Sequence, residues 1–327
     1  MIASLRPQTL SALLALVLLA PAKALAEPNE TELRAFRDTA ERYAARMTEF
    51  ESDVRQIVDL TEEEERTRIL TSFGAAMTRA EDEGNTLRRV TIAKLETFLQ
   101  RYPNTRYSAD MKFRLADLYY DESELDFVAR TQEYSKLQDQ AETNPNMVLP
   151  EPPEKDYRRS IGIYNDILAS YPDFEYRPDT YYMLGWCYGS SNAMQQDDEA
   201  ARDAYLAIVT GYSKSVFAND SNMRLGEYYF ELPASREDPV ANVRTAIKYY
   251  GAVLADGPTG RNYDRAIYKL GWSHYKLNEY DRALAYLVQL LDYSDSLYDR
   301  SGRVADTRKE AVEYLAISYA DMADRQG

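Results

Sequence analysis

The residues that could support catalysis are few in this sequence. His274 is the only histidine and Cys187 the only cysteine, and each lies within an apolar helical pattern. A side chain in such a place is expected to pack rather than to act as a base, a nucleophile or a metal ligand. The 54 carboxylates are spread over charged surfaces, and no glycine-rich phosphate loop, nucleophile elbow or Cys/His metal spacing occurs. The sequence therefore predicts a protein that is not an enzyme and that holds no metal and no cofactor.

Aromatic residues at helical spacing could instead form a binding surface. Trp186 and Trp272, the only tryptophans, each lie two residues after a leucine in a Leu-Gly-Trp sequence. That position is about 200° around a helix from the leucine, so it faces away from the core. The residues that share this stripe are Tyr182 with Trp186, Tyr268 and Tyr275 with Trp272, Asp117 and Tyr120 with Phe113, and Glu227 and Phe230 with Met223. These side chains could contact a partner or pack against neighbouring helices, and both alternatives stay open.

The charge near this stripe favours a neutral to basic partner. Acidic neighbours outnumber basic ones: they are Asp110, Asp121, Asp179, Asp220 and Glu231, against Arg265 and Lys276. Complementary charge guides protein partners to a surface. The whole chain has a formal charge of −15, and this disfavours nucleic acid, because phosphate binding needs a cationic footprint.

The helices that carry the stripe are arranged in hairpins, most clearly at residues 267–291. Leu270, Gly271 and His274 share one face of a first helix, and a four-residue turn signal separates it from a second helical pattern. In the second helix Ala283 and Leu287 lie four residues apart on one face. The glycine and the alanine would let the two backbones approach closely. Neither helix could bury its apolar face alone, so the sequence predicts that they pack together.

The same block recurs along the chain and resembles the tetratricopeptide repeat, L-G-x-x-Y followed by A-x-x-x-F. First-helix blocks are Leu115-Ala116 with Tyr119, Leu184-Gly185 with Tyr188, Leu225-Gly226 with Tyr229, Leu270-Gly271 with His274, and Leu315-Ala316 with Tyr319. Second-helix blocks are Ser160 with Tyr164, Ala201 with Tyr205, Ala246 with Tyr250, and Ala283 with Leu287. The leucines lie 41 to 69 residues apart, whereas the family's repeat is 34 residues long. The excess is expected in the turns.

The resemblance implies an all-α fold, a right-handed superhelical solenoid of irregular tetratricopeptide helix hairpins over residues 87–327. In this family the outward face of the first helices lines a groove that holds extended peptides. The resemblance therefore implies that the stripe of Trp186 and Trp272 binds partner proteins. The last first-helix block has no second helix after it. Either this helix caps the array or the 327 residues are a fragment of a longer array, and we favour the fragment.

Two segments precede the repeats. Residues 1–26 have a basic start, an apolar run and an Ala-Leu-Ala cleavage site, which are typical of a secretory signal peptide. No cysteine lies near that site, so a lipoprotein is not expected. Residues 27–86 are predicted to form a coiled-coil-like helical segment, since apolar residues recur at heptad spacing from Leu33 to Ile57. Thr61 and Glu64 predict a capping box that opens a second helix, and residues 83–85 predict its end. The first of these helices could fold back on the second or could self-associate.

A long insertion is predicted at residues 122–156, between a first helix and its partner. Residues 122–141 could prolong the helix, but residues 144–155 contain four prolines and are expected to form an extended surface loop.

These features predict a periplasmic scaffold that mediates protein–protein interactions, and a resemblance to repeat proteins of the bacterial cell envelope implies a role in an envelope assembly or motility complex. The plan is similar to tetratricopeptide proteins of the cell envelope: the Tol-Pal-associated coordinator of constriction, the repeat lipoprotein of the outer-membrane β-barrel assembly machine, and repeat proteins of the gliding machinery. The expected partners are envelope proteins or extended peptide segments. The alternatives are a peptidoglycan- or carbohydrate-associated protein, in which the aromatics stack on sugars, and a structural oligomer built on residues 33–57.

Overall fold

The computed structural model describes residues 30–144, 147–233 and 238–326. These residues form ten α-helices, one 3₁₀-helix at Leu254–Asp256 and no strand. The α-helices are α1 Glu30–Arg101, α2 Ser108–Thr143, α3 Arg158–Ser170, α4 Arg177–Tyr188, α5 Asp198–Gly211, α6 Ala218–Glu231, α7 Pro239–Val253, α8 Tyr263–Lys276, α9 Tyr280–Ser301 and α10 Arg308–Gln326. Consecutive helices from α2 to α10 pack against each other. The prediction of an all-α solenoid of helix hairpins is confirmed.

The chain divides into two compact units, Met1–Gly84 and Asn85–Gly327. The corresponding boundary predicted from the sequence lies between residues 86 and 87. The predicted signal peptide, residues 1–26, lies outside the described residues.

In the first unit the described residues belong to a single helix, α1, rather than to two. The Thr61 hydroxyl donates to the carbonyl of Ile57 at 2.7 Å, inside the helix, instead of capping a new one. The predicted capping box and the predicted end at residues 83–85 are therefore wrong. A threonine can satisfy its hydroxyl on the carbonyl four residues earlier, and one glycine costs a helix only about 1 kcal/mol. The alternative that the segment folds back on a following helix is wrong too, because both belong to α1.

The apolar seam of α1 is exposed within this unit. Tyr43, Phe50 and Ile57 are 68%, 61% and 63% exposed. Met47 and Val54, which alternate with them at spacings of three and four residues, are exposed as well. The first unit therefore presents an apolar row on which a partner helix could pack.

In the second unit the recurring leucines form the interface between first and second helices. Leu184, Leu225 and Leu270 are at most 3% exposed, and Leu115 is 5% exposed. The last turns of α1 belong to the same packing, since Ile92 contacts the cluster around Leu115 in α2. The helix hairpins thus bury the positions that the repeat pattern predicts.

Glycines in the first helices lie where the second helices cross them. A Cβ at Gly185 would lie 2.7 Å from the Tyr205 ring, and one at Gly271 would lie 3.0 Å from Leu287. At Gly226 the ring of Tyr250 is closer still. Carbon atoms in contact are normally about 3.5–4.0 Å apart, so at Gly185 and Gly226 the absence of a side chain is what admits the tyrosine.

The insertion after α2 is tied to the next repeat. Helix α2 continues to Thr143, and residues 147–157 contain no helix. The backbone of Lys155 pairs with the loop between α4 and α5 through an N–H to Asn192 at 2.7 Å and through its carbonyl, which accepts from Met194 at 2.9 Å. The buried Tyr157 follows two residues later. This anchoring fixes one end of an otherwise exposed loop.

Helix α10 has no second helix packed on it among the described residues, so part of its repeat pattern is exposed. Ala311 and Ser318 are buried against the preceding hairpin. Tyr319 and Ile317 are 56% and 37% exposed. In α2 the equivalent tyrosine, Tyr119, is only 6% exposed.

Candidate functional site

The predicted stripe lies on the first helices, which contact one another along one face of the second unit. We call the stripe residues of α2, α4, α6 and α8 the first-helix face. The Trp186 indole of α4 donates to the Tyr120 hydroxyl of α2 at 2.9 Å. The Tyr182 hydroxyl of α4 donates to Asp220 of α6 at 2.8 Å, and Arg265 of α8 pairs with Glu227 of α6 at 2.8 Å. Residues far apart in sequence therefore form one continuous surface.

Trp186 is the exposed aromatic of this face. It is 37% exposed, and the guanidinium of Arg224 lies 5.1 Å from its ring centroid. Its hydrogen-bond partner Tyr120 stacks on Tyr157 with ring centroids 5.4 Å apart. The indole edge is thus held in place while part of the ring stays open to solvent, which suits a contact surface.

Trp272 is packed between three helices instead. Its ring lies 5.1 Å from Phe230 of α6, 6.1 Å from Tyr268 and 5.3 Å from Tyr314 of α10. For this residue the structure shows the packing alternative, contact with neighbouring repeats. A partner contact at Trp272 stays a prediction.

Phe230 needs a correction, since it is only 5% exposed. The ammonium group of Lys276 lies 3.8 Å from its ring centroid and that of Lys269 lies 5.0 Å away. Lys276 also donates to the carbonyl of Phe230 at 3.3 Å. Phe230 supports the first-helix face from beneath and is not available to a partner.

Tyrosine hydroxyls bonded to carboxylates recur between neighbouring segments of the array. Tyr164 donates to Asp117 at 2.7 Å and Tyr275 donates to Asp321 at 2.6 Å. Tyr119 with Glu96, Tyr157 with Glu124 and Tyr182 with Asp220 repeat the arrangement. Burial and the neighbouring carboxylate raise the pKa of Tyr182 to about 12. Burial also raises the pKa of Asp117 above its usual value, although the bond from Tyr164 opposes that rise.

Two predicted residues, Trp186 and Glu227, line a cleft of about 710 Å³ between α4, α5 and α6. The cleft is also lined by Arg202, Arg224 and Tyr228, which are not among the site residues predicted from the sequence. Arg224 could have been found, because it lies on the same helical stripe as Glu227, three residues earlier. Arg202 and Tyr228 could not, because they belong to other faces and meet only when α5 packs on α6.

The cleft combines an aromatic surface with balanced charge. Its lining includes three cations, Lys155, Arg202 and Arg224, and three acids, Asp198, Glu227 and Glu231. Arg224 lies 3.5 Å from Glu227, so the two groups hold each other in place. Such a site can bind the hydrogen-bond donors and acceptors of a partner's peptide backbone while an apolar side chain of the partner packs against Trp186.

The single histidine and the single cysteine both pack among neighbouring side chains. The Nδ1 of His274 lies 2.7 Å from Glu279, and the imidazole stacks on Tyr286 at 5.4 Å. Cys187 is buried, and burial raises the pKa of its thiol to about 12. Within the described ranges no group of three or more His, Cys, Asp and Glu side chains could hold a metal ion. In the same ranges no helix has the length and apolar character needed to cross a membrane.

Comparison with known proteins gives one family match. Residues 265–296, from α8 into α9, match the family model described as the tetratricopeptide repeat. No curated protein sequence matches the chain. An all-α fold of this repeat type is typical of scaffolds that hold protein partners without catalysis. Residues 265–296 are therefore similar to a tetratricopeptide repeat, and they lie within an all-α solenoid of tetratricopeptide-like helix hairpins.

Proposed function

We propose that this protein is a periplasmic scaffold that binds a partner protein through the first-helix face, as part of a bacterial cell-envelope assembly or motility complex. The observation that carries the proposal is the cleft of about 710 Å³ beside Trp186, Arg224 and Glu227. The secretory pattern of residues 1–26 supports the periplasmic location.

The partner that fits is an extended segment of neutral to basic character. The charged groups of the cleft balance each other, so neither a strongly acidic nor a strongly basic peptide is required there. Tyr182 and Asp220 extend the face beyond the cleft, where Asp220 accepts from Tyr182 and lies 3.6 Å from Arg224. The acids that outnumber the bases near this face favour a neutral to basic segment. Hydrogen bonds to the partner's extended backbone then supply affinity, and the fit of the partner's side chain against Trp186 supplies selectivity.

The test is capture from a bacterial envelope extract, followed by affinity measurement with the captured protein. Trp186→Ala should weaken binding about thirtyfold, since loss of an aromatic contact of this kind costs about 2 kcal/mol. The control is Tyr298→Ala on α9, where an exposed tyrosine lies outside the face. Full affinity of a folded Trp186→Ala variant, or an equal loss in the control, would remove the face as the binding site.

A peptidoglycan ligand is the alternative that the exposed indole of Trp186 leaves open, because aromatic rings also stack on sugars. Purified cell-wall sacculi should be tested beside the protein extract with the same two variants. Binding to sacculi that depends on Trp186, without capture of any protein, would assign the face to carbohydrate.

A second candidate function, self-association, is favoured by the exposed seam of α1. A helix of this kind gains most of its stability from packing of its apolar face, and Phe50 and Ile57 lie on that face, largely exposed. Phe50→Glu with Ile57→Glu should lower the sedimentation coefficient if a second copy covers the seam. Ser52→Glu with Gln56→Glu, off the seam, is the matched control. A monomeric parent protein would dismiss this function.

A further inference from the structure

A second cleft, of about 810 Å³, gathers four arginines in a chain that is otherwise strongly acidic. It lies between the last turns of α1, the middle of α2 and the start of α3, and all its lining residues belong to the second unit. Arg88 and Arg89 line it from α1, and Arg158 and Arg159 line it from α3. The formal charge of the chain is −15, so this concentration of guanidinium groups is a local reversal of sign.

The four guanidiniums differ in how far they are neutralised. Arg158 is fully engaged, because its Nε lies 2.9 and 3.0 Å from the two oxygens of Asp156. Arg159 lies 3.8 Å from Glu122 and sits over the Tyr119 ring at 5.0 Å. Arg88 donates to a neutral group, the Asn85 side-chain oxygen, at 2.7 Å. In the described part of the chain neither Arg88 nor Arg89 pairs with a carboxylate.

The acidic residues of the cleft do not cancel this charge. The lining contains three carboxylates, Glu122, Asp126 and Asp156. Asp156 is occupied by Arg158, and Asp126 pairs with Arg130 at 2.8 Å. The nearby Glu96 accepts the Tyr119 hydroxyl. The positive charge that is left is on Arg88 and Arg89, at the α1 wall, with Arg159 only weakly paired opposite.

The cleft also offers apolar contact. Leu125 is 43% exposed, and Ala129 follows one turn later on α2. The stems of the arginines add further apolar area, since such side chains keep only their heads in water. A ligand that carries carboxylates beside an apolar side chain matches this lining.

We propose that this cleft binds an acidic peptide segment of a partner protein, with its carboxylates on Arg88 and Arg89 and an apolar side chain against Leu125. Arginine forms paired hydrogen bonds with a carboxylate, which would orient the segment along α1. A nucleic acid is disfavoured because a long polyanion meets the acidic surface around the cleft. A short peptide senses mainly charges within the screening length of about 8 Å. This site is separate from the first-helix face and takes a segment of the opposite charge.

The test is fluorescence anisotropy with the intact protein and a fluorescein-labelled peptide of six glutamates and two leucines. Binding should weaken as salt is raised, and a peptide with glutamine in place of glutamate should not bind. Arg88→Glu with Arg89→Glu should reduce affinity by more than about tenfold. Arg88→Gln with Arg89→Gln should give a smaller loss in the same direction and guards against misfolding of the reversed variant.

The matched control is Arg66→Glu with Arg79→Glu, which makes the same change in net charge at exposed positions of α1 outside the cleft. It should leave affinity within about twofold. The proposal is overturned if folded cleft variants bind as the parent does, if the control loses as much affinity, or if the glutamine peptide binds equally well. Tighter binding of a short single-stranded oligonucleotide than of the acidic peptide would overturn it as well.

Discussion

A single methyl group added at Gly226 tests the packing that defines the repeats. Its carbon would lie 2.5 Å from Tyr250 Cδ1 and 2.9 Å from Cζ, with Cε1 closer still. The ring has no free space to enter, because Tyr250 is fully buried among Met223, Phe230 and neighbouring side chains. Gly226→Ala must therefore push α6 away from α7.

The expected magnitude follows from two opposing effects. Overpacking of a buried contact costs about 2–3 kcal/mol at this severity, and alanine returns about 1 kcal/mol of helix propensity relative to glycine. The net loss is about 1–2 kcal/mol, or about 2–8 °C in melting temperature for a domain of this size. Gly251→Ala is the matched control, since nothing lies within 4 Å of its added carbon. That variant should be stabilised by the propensity gain alone.

The assay is thermal and urea denaturation followed by circular dichroism for both variants. A double-mutant cycle with Tyr250→Leu sharpens it, because a leucine leaves more space, as Leu287 does opposite Gly271 at 3.0 Å. In the Tyr250→Leu background the cost of Gly226→Ala should fall by about 1 kcal/mol or more. Equal melting temperatures for Gly226→Ala and the parent would refute the proposed glycine–tyrosine contact, as would an additive cycle.

Three further outcomes are expected. Gly271→Leu should lower the melting temperature by overpacking against Leu287 by about 1–3 kcal/mol, and a variant as stable as the parent would contradict this. Asp117→Asn should raise stability at pH 7 and reduce the gain in stability on acidification, because burial disfavours the charged form of Asp117 and raises its folded-state pKa. Urea titrations at pH 4 and pH 7 measure the stability and its pH dependence. A variant that is destabilised at pH 7 would show that the carboxylate is needed. Stability should fall steeply as pH rises from 10 to 12. The reason is that Tyr120, Tyr182 and Tyr268 have folded-state pKa values raised to about 12, and the stability that this gives is lost as they ionise. Tyrosine absorbance and helix content should change together, and ionisation of these groups at pH 10 in folded protein would contradict the prediction.

The helix hairpins could be predicted because their register is local. A leucine, a small residue and an aromatic at fixed spacing decide which face of a helix is buried, and this holds for Leu184, Leu225 and Leu270 in the structure. The predicted break in α1 near Thr61 is wrong because a local signal was read without its wider context. A cap signal such as Thr61 can be satisfied within a helix, so a short motif does not decide whether the chain turns.

The candidate site was less predictable, since it depends on which helices become neighbours. Helical angle alone placed Phe230 and Trp186 on the same stripe. Lysine side chains from α8 cover Phe230, which is 5% exposed, whereas Trp186 lies beside Arg224 and stays 37% exposed. The arginine cleft joins residues about seventy positions apart, and nothing in the local pattern near Arg88 or Arg158 indicates that they meet.

Two of the hydroxyl–carboxylate bonds have a mechanical consequence. Tyr182 with Asp220 and Tyr275 with Asp321 each join one hairpin to the next, across interfaces at which the repeats can separate. Because each repeat contacts only its neighbours, a pulling force along such an array should open its interfaces one at a time. The array should therefore extend in steps, and loss of Tyr182 or Tyr275 should lower the force at which the corresponding interface opens.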